Sequence, residues 1–108
     1  MTDLKSRRCH ACKPGTPALT KPQIKLLIGD VHGWKATGKE LARTFNFKNY
    51  YETMAFVNAI AFISHREDHH PDLEVGYNKC VVRYSTHSVG GLSENDFICA
   101  AKVDGLVR

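Results

Sequence analysis

Residues 49–87 read NYYETMAFVNAIAFISHREDHHPDLEVGYNKCVVRYSTH, and the change of period inside this stretch decides the fold. Its first half repeats apolar residues at helical spacing behind Asn49, a good N-cap. Tyr50, Met54, Val57, Ile60 and Ala61 form one stripe, and Tyr51, Ala55, Ala59, Phe62 and Ile63 form another. A helix apolar on two sides buries more than one of them, against a sheet and against another subunit. Pro71 ends it, because the residue before a proline is pushed out of the helical region. His69 and His70 therefore lie at or just past the helix C-terminus. From Asp72 the period becomes two. Cys80, Val82, Tyr84 and Thr86 face one way, and Val81, Arg83, Ser85 and His87 the other. Gly76 or Asn78 marks the bend that makes two strands of 72–87.

Working outward, GWKATGKELARTFNF (33–47) predicts a hairpin with strands at 34–37 and 40–47 and a turn at Gly38-Lys39. Leu41, Phe45 and Phe47 share a face, with Arg43 as the exception. Before it, Thr20 can cap a short helix with Pro22 in its first turn and Ile24, Leu27, Ile28 and Val31 at helical spacing; Gly29 and Gly33 end it. After the stretch, SVGGL is a loop. Ser93 with Asp96 three residues on resembles a capping box, opening a last helix whose apolar side is Phe97, Ala100, Ala101 and Val103. The order is α-β-β-α-β-β-α. It predicts an α+β fold, a four-stranded antiparallel sheet with three helices on one face and the other face free for a ligand or partner.

The chain has 108 residues, 43% hydrophobic and 24% charged, which suits one domain with little volume for a deep internal cleft. That domain is expected over 21–108, behind a flexible basic arm at 1–20 broken by Pro14, Gly15 and Pro17. Residues 1–50 hold ten Lys/Arg against three acids, and residues 51–108 five against eight. The basic charges stand singly, so a solvated surface is expected rather than a nucleic-acid patch. No apolar leader is read in MTDLKSRRCHACKPGTP. MAFVNAIAFI is too short to span a bilayer and contains Asn58. The expected location is cytoplasmic, with Cys9, Cys12, Cys80 and Cys99 reduced. CHAC (9–12) has no second Cys pair in the chain to complete a structural zinc site.

Four of the six histidines, His65, His69, His70 and His87, fall within one window of 23 residues. Three readings stand. Imidazoles ligate metal, but the combination expected of a zinc enzyme, a His-x-x-x-His or His-x-Glu pattern with a Cys-x-x-Cys after it, is absent here: HREDH (65–69) has the histidine spacings and no Cys-x-x-Cys follows. Imidazoles transfer protons near neutral pH, and two flanking a substrate suit a dehydration, which protonates a leaving hydroxyl and removes a neighbouring proton. Glu67 and Asp68 would then orient the rings or bind a polar substrate. Finally, a histidine at a helix C-terminus is favoured by the helix dipole alone, and His65 belongs to that reading.

EDHHPD, YNKCVVRYSTH and GGLSENDF, with Gly33-Trp34 and FNFKNY, together resemble the pterin-4a-carbinolamine dehydratases, also known as dimerisation cofactors of a homeodomain transcription factor. The resemblance runs from about Leu26 to Val107 and does not take in the CHAC arm. It implies an enzyme that removes water from 4a-hydroxytetrahydrobiopterin to give quinonoid dihydropterin, recycling the cofactor of aromatic amino-acid hydroxylases. The pterin is the substrate, and no metal or other cofactor is implied. His69, His70 and His87 fall on the family's active histidines. Asp68–His70, Ser85, Thr86, His87 and Ser88 fall on its pterin-contacting stretches, and Trp34 on a tryptophan near the pocket. His69 and His87 are expected to carry the acid/base work and His70 to orient the pterin. A homodimer or homotetramer packed through the central helix is implied, with an aromatic amino-acid hydroxylase as a further partner. The alternative is a binding module or coregulator acting through the same helix, Val57 and Ile60 included. The chain departs from the family pattern at His65, where a Glu is common, and at Leu73, where many members carry an aromatic.

Overall fold

The computed structural model describes residues 3–107. Its main elements follow the predicted order: α1 (Lys21–Ile28), β1 (Lys35–Thr37), β2 (Glu40–Asn46), α2 (Tyr50–Glu67), β3 (Asp72–Val75), β4 (Lys79–Tyr84) and α3 (Glu94–Asp104). The four strands form one antiparallel sheet in the order β1-β2-β4-β3, so the fold is α+β as the periodicity indicates.

Alternation along the two central strands builds the core. Leu41 and Phe45 of β2 and Cys80, Val82 and Tyr84 of β4 are buried with Phe56 and Ile60 of α2 and Phe97, Ile98 and Val103 of α3. Removing each large side chain of this kind from water stabilises the fold by roughly 1.5–3 kcal/mol before entropy is counted. Arg43 sits among them because its charge is answered. Its guanidinium lies 4.3 Å above the Phe45 ring and 2.6 Å from Asp104 Oδ1 on α3. The opposite sheet face is polar, with Arg83 bridging Glu74 at 3.0 Å and Glu40 at 3.6 Å across strands.

The helix ends are made by side chains. Thr20 and Gln23 cap α1 reciprocally, with Thr20 N–H on Gln23 Oε1 at 2.8 Å. Asn49 Oδ1 accepts the Glu52 N–H at 2.9 Å to start α2. The end of α2 differs from expectation. The helix stops at Glu67, well before Pro71, because Asp68 takes the left-handed conformation (φ 51°, ψ 43°) and donates its N–H to Ser64 O.

The inward face of α2 also differs. It is Thr53, Phe56, Ile60, Ser64 and Glu67, so only Ile60 of the first predicted stripe is buried. Polar residues take the inward positions because each is satisfied. Thr53 Oγ1 contacts the carbonyls of Asn49 and Tyr77, each at 2.9 Å, and Ser64 Oγ donates to Ile60 O at 2.8 Å. Ile60, offered by sequence as a partner contact, is core. Of the second stripe, Tyr51 is 82% and Phe62 65% exposed, and Ala55 beside them is also open.

The arm expected to be flexible is seated where it is described. Leu4, in a 3₁₀ turn over Leu4–Ser6, is 2% exposed and belongs to the core cluster. Arg7 pairs with Glu94 at 2.8 Å, and the Cys9 N–H donates to Glu67 Oε1 at 2.8 Å. His10 and Asn95 exchange two hydrogen bonds, 3.1 and 2.6 Å long. One apolar residue, the buried Glu67 acceptor and surface pairs with Glu94 and Asn95 hold the segment, and none of these leaves a periodic signal.

Candidate active site

Asp72 at the start of β3 pairs with Arg83 near the end of β4, so the connector Asp68–Pro71 starts beside the segment Ser85–His87. Beyond β4, Thr86 and Gly91 exchange backbone hydrogen bonds of 2.8 and 3.4 Å. They close a loop that holds a 3₁₀ turn at His87–Val89 and Gly90 at φ +70°. The chain then enters α3 through Ser93.

These segments meet at Asp96, which is fully buried. Its Oδ1 lies 2.6 Å from His69 Nε2. Its Oδ2 accepts the Thr86 hydroxyl at 2.8 Å and the Ser93 N–H at 2.9 Å. Thr86 and Ser93 hydroxyls are 2.7 Å apart, which completes the network. The His69 ring is 13% exposed and stacks on Tyr84, centroids 5.8 Å apart and planes 8° from parallel. Burial pushes this ring toward neutrality. The Asp96 hydrogen bond and charge, helped by Cys9 and Asp68, outweigh it and hold the pKa above the ordinary imidazole value. His69 is thus an oriented imidazole whose charged form the fold favours, with Nε2 held on Asp96.

A cleft of about 600 Å³ opens on the other side of Thr86. Thr37, Lys39 and Glu40 form one wall, and Ser85, Thr86, His87, Gly90 and Gly91 the other. His87 is exposed here, and among the described residues its ring takes no hydrogen-bond partner. Imidazole, hydroxyls, an ammonium and a carboxylate in one open cleft suit a polar heterocycle that must exchange protons.

The residues singled out in the sequence thus divide. His69 and Thr86 are joined through Asp96, while Ser85, Thr86 and His87 line the cleft. Asp68, His70 and Ser88 are exposed, and among the described residues their side chains make no hydrogen bond to the network. Trp34, expected near the pocket, lies in the core. It is 5% exposed, packs on Phe45 and Tyr84, and donates Nε1–H to Asp104 at 2.8 Å. Burial with a satisfied indole N–H accounts for that position. His65 is exposed in the last turn of α2, where the helix dipole favours it. Among the described residues, no three His, Cys, Asp or Glu side chains are grouped to hold a metal ion. Asp96 and Ser93 are the members that sequence reasoning missed as a site. Ser-x-x-Asp was readable, but only as a helix cap.

The sequence profile described as "Pterin 4 alpha carbinolamine dehydratase" matches residues 17–106. A protein of Nitrosospira multiformis with the provisional name pterin-4-alpha-carbinolamine dehydratase is 59% identical over 106 residues, which is 98% of this chain and 94% of that one. One of Nitrosomonas eutropha with the same name is 58% identical over 97% of this chain and 94% of its own. Both alignments take in most of the N-terminal arm. The crystal structure of a transcriptional coactivator/pterin dehydratase from Brucella melitensis superposes with a TM-score of 0.81 at 27% identity, covering 84% of this chain and 99% of that one. A pterin dehydratase-like protein described as a RuBisCO assembly factor in the alpha-carboxysome superposes at 0.60 with 31% identity, over 69% of this chain and 89% of its own.

Proposed function

The chain belongs to the pterin 4α-carbinolamine dehydratase family, and from that premise we propose that it removes water from 4a-hydroxytetrahydrobiopterin by histidine acid/base catalysis. The observation that carries the reading is the buried His69–Asp96 pair, 2.6 Å apart, joined through Thr86 to the cleft that His87 lines. Dehydration requires one proton delivered to the C4a hydroxyl, which leaves as water, and one removed from N5 as the C4a=N5 bond forms. His69, whose charged form Asp96 favours, is the donor. His87, exposed and unpartnered among the described residues, is the acceptor. His70, with Asp68, Ser85 and Ser88, orients the pterin ring. The product is the quinonoid dihydropterin, so the enzyme acts downstream of an aromatic amino-acid hydroxylase in recycling that cofactor. The pterin is substrate, and the chemistry draws on no metal or other cofactor. A cytoplasmic location suits the four free cysteines. Among the described residues no helix is long and apolar enough to cross a membrane.

Stopped-flow measurement of carbinolamine dehydration tests this. Wild type should outrun buffer, and His87→Ala or His69→Ala should lose at least ~100-fold in rate, the low end for a general acid/base group. A wild-type rate no better than buffer would overturn the reading.

A second reading is favoured by the open face of α2. Tyr51 and Phe62 are exposed on this helix, and Ala55 and Ala59 line a groove with Phe47, Leu106 and Val107. We read that face as the contact for a second copy of the chain, giving a dimer or tetramer. A coregulator role through the same face is the alternative to catalysis. A partner captured through it by a chain without turnover would favour that alternative.

A further inference from the structure

Cys9 and Cys99 stand 90 positions apart in sequence, yet their sulphurs are 3.5 Å apart. Neither is among the groups assigned above to proton transfer or pterin binding. Cys99 is fully buried in α3, and Cys9 is half-buried at the outer side of the pair. The approach is held from both flanks. The Cys9 N–H is fixed on Glu67, and the next residue, His10, is clasped by Asn95 one turn before Cys99. From this geometry we infer that Cys9 and Cys99 are a redox-active dithiol, oxidised by a hydroperoxide to a reversible disulfide that pins the N-terminal arm to α3.

The electrostatics divide the roles. The hydrogen bond with Cys99 lowers the Cys9 thiol; burial opposes it, while His69 and Lys102 assist and Glu67 opposes. That same bond and burial push Cys99 up. Cys9, the member that peroxide can reach, is therefore the nucleophile, and the fully buried Cys99 the resolving thiol. The Cys9 thiolate attacks one oxygen of hydrogen peroxide. The O–O bond breaks, Cys9 becomes a sulfenic acid, and the leaving hydroxide takes a proton to become water. The Cys99 sulphur then displaces the hydroxyl from Cys9. The S–S bond forms, and the hydroxyl leaves with the Cys99 proton as a second water. Two thiols are oxidised and one peroxide is reduced, and a dithiol reductant reverses the bridge by exchange.

The test uses the full-length reduced protein exposed to equimolar hydrogen peroxide at neutral pH. Remaining thiols are alkylated in denaturant and peptides are mapped without reduction. The expected product links the Cys9 and Cys99 peptides, two hydrogens lighter, with Cys12 and Cys80 alkylated. Dithiothreitol restores both thiols. Cys12→Ser should keep the bridge. Cys9→Ser, at a half-exposed site where folding is retained, should abolish it and leave Cys99 alkylated. A Cys9–Cys12 bridge would overturn the assignment. So would Cys9 stopping at sulfinic acid with Cys99 free, or four alkylated thiols after treatment. None of these outcomes depends on dehydratase turnover.

Discussion

His69 and Asp96 are 27 positions apart in the chain, and Nε2 of the one lies 2.6 Å from Oδ1 of the other in a site closed to water on the Asp96 side. The pair ties the end of α2 to the first turn of α3. It also makes the charge state of His69 a property of the fold rather than of the imidazole alone.

Asp96→Asn should lower the pKa of His69. Folding raises that pKa, so the charged ring's contribution is whole below the ordinary 6.5 and fades as pH rises through the folded value. The descending alkaline limb of the rate profile should therefore begin above 6.5 in wild type and move to lower pH in the variant, with at least ~10-fold loss at neutral pH. Imidazole NMR titration of His69 reads the same shift without substrate. An unmoved His69 titration in Asp96→Asn would refute the coupling.

Acid should loosen the N-terminal arm through Glu67. Burial raises this carboxyl, but the Cys9 N–H, Lys102 and Arg8 together outweigh it and hold the pKa below the ordinary 4.5. A carboxyl depressed by folding contributes stability that is full above 4.5 and lost as pH falls through the lower folded value. Urea unfolding between about pH 3 and 6 should show this slope in wild type and a flatter one in Glu67→Gln. The variant should also be weaker by about 1 kcal/mol at neutral pH.

Charging the open face of α2 should separate assembly from folding. Tyr51→Asp and Phe62→Asp fall on exposed positions and should reduce the mass seen by light scattering while leaving the melting transition cooperative. Ile60→Asp, at a residue 1% exposed, should unfold the chain instead, since an unpaired buried carboxylate costs several kcal/mol. A wild-type mass equal to one chain would remove the assembly reading.

Asp68 is the only non-glycine residue at positive φ among the described residues. Asp68→Gly should leave stability within about 0.5 kcal/mol or raise it, whereas Asp68→Val should cost roughly 1–2 kcal/mol. Equal thermal stabilities for the two would show that the turn imposes no such conformation.

Much of the fold was legible because period and punctuation agree in this chain. The two-residue alternation of 79–84, Gly38 at the hairpin turn and the Thr20 and Asn49 caps each name their element locally. What sequence concealed was polar burial. Thr53, Ser64 and Glu67 face inward because partners far along the chain or within the helix satisfy them, and a hydrophobic pattern cannot register that. Asp96 was hidden for the same reason. A capping aspartate is ordinarily exposed, and only the fold shows this one buried between His69 and Thr86. Motif resemblance singled out His69, Thr86, His87 and Trp34; the fold joins His69 to Thr86 through Asp96, sets Thr86 and His87 along one cleft, and buries Trp34 against Tyr84, on which His69 stacks. An indole N–H that finds its acceptor in Asp104 belongs to the core.

The connector Asp68–Pro71 joins an element that turns about 100° per residue to one that flips by 180°. An added or lost residue there would be felt twice. It would rotate Asp68 and His69 away from Ser64 and Asp96, and exchange Leu73 for Asp72 or Glu74 on the helix-covered face of β3. The turns at Gly38-Lys39 and Gly76–Asn78 carry no such double constraint. Length variation across descendants of this chain should accumulate at those two turns and spare 68–71, so that the spacing from α2 to the paired histidines outlasts many of the side chains around it.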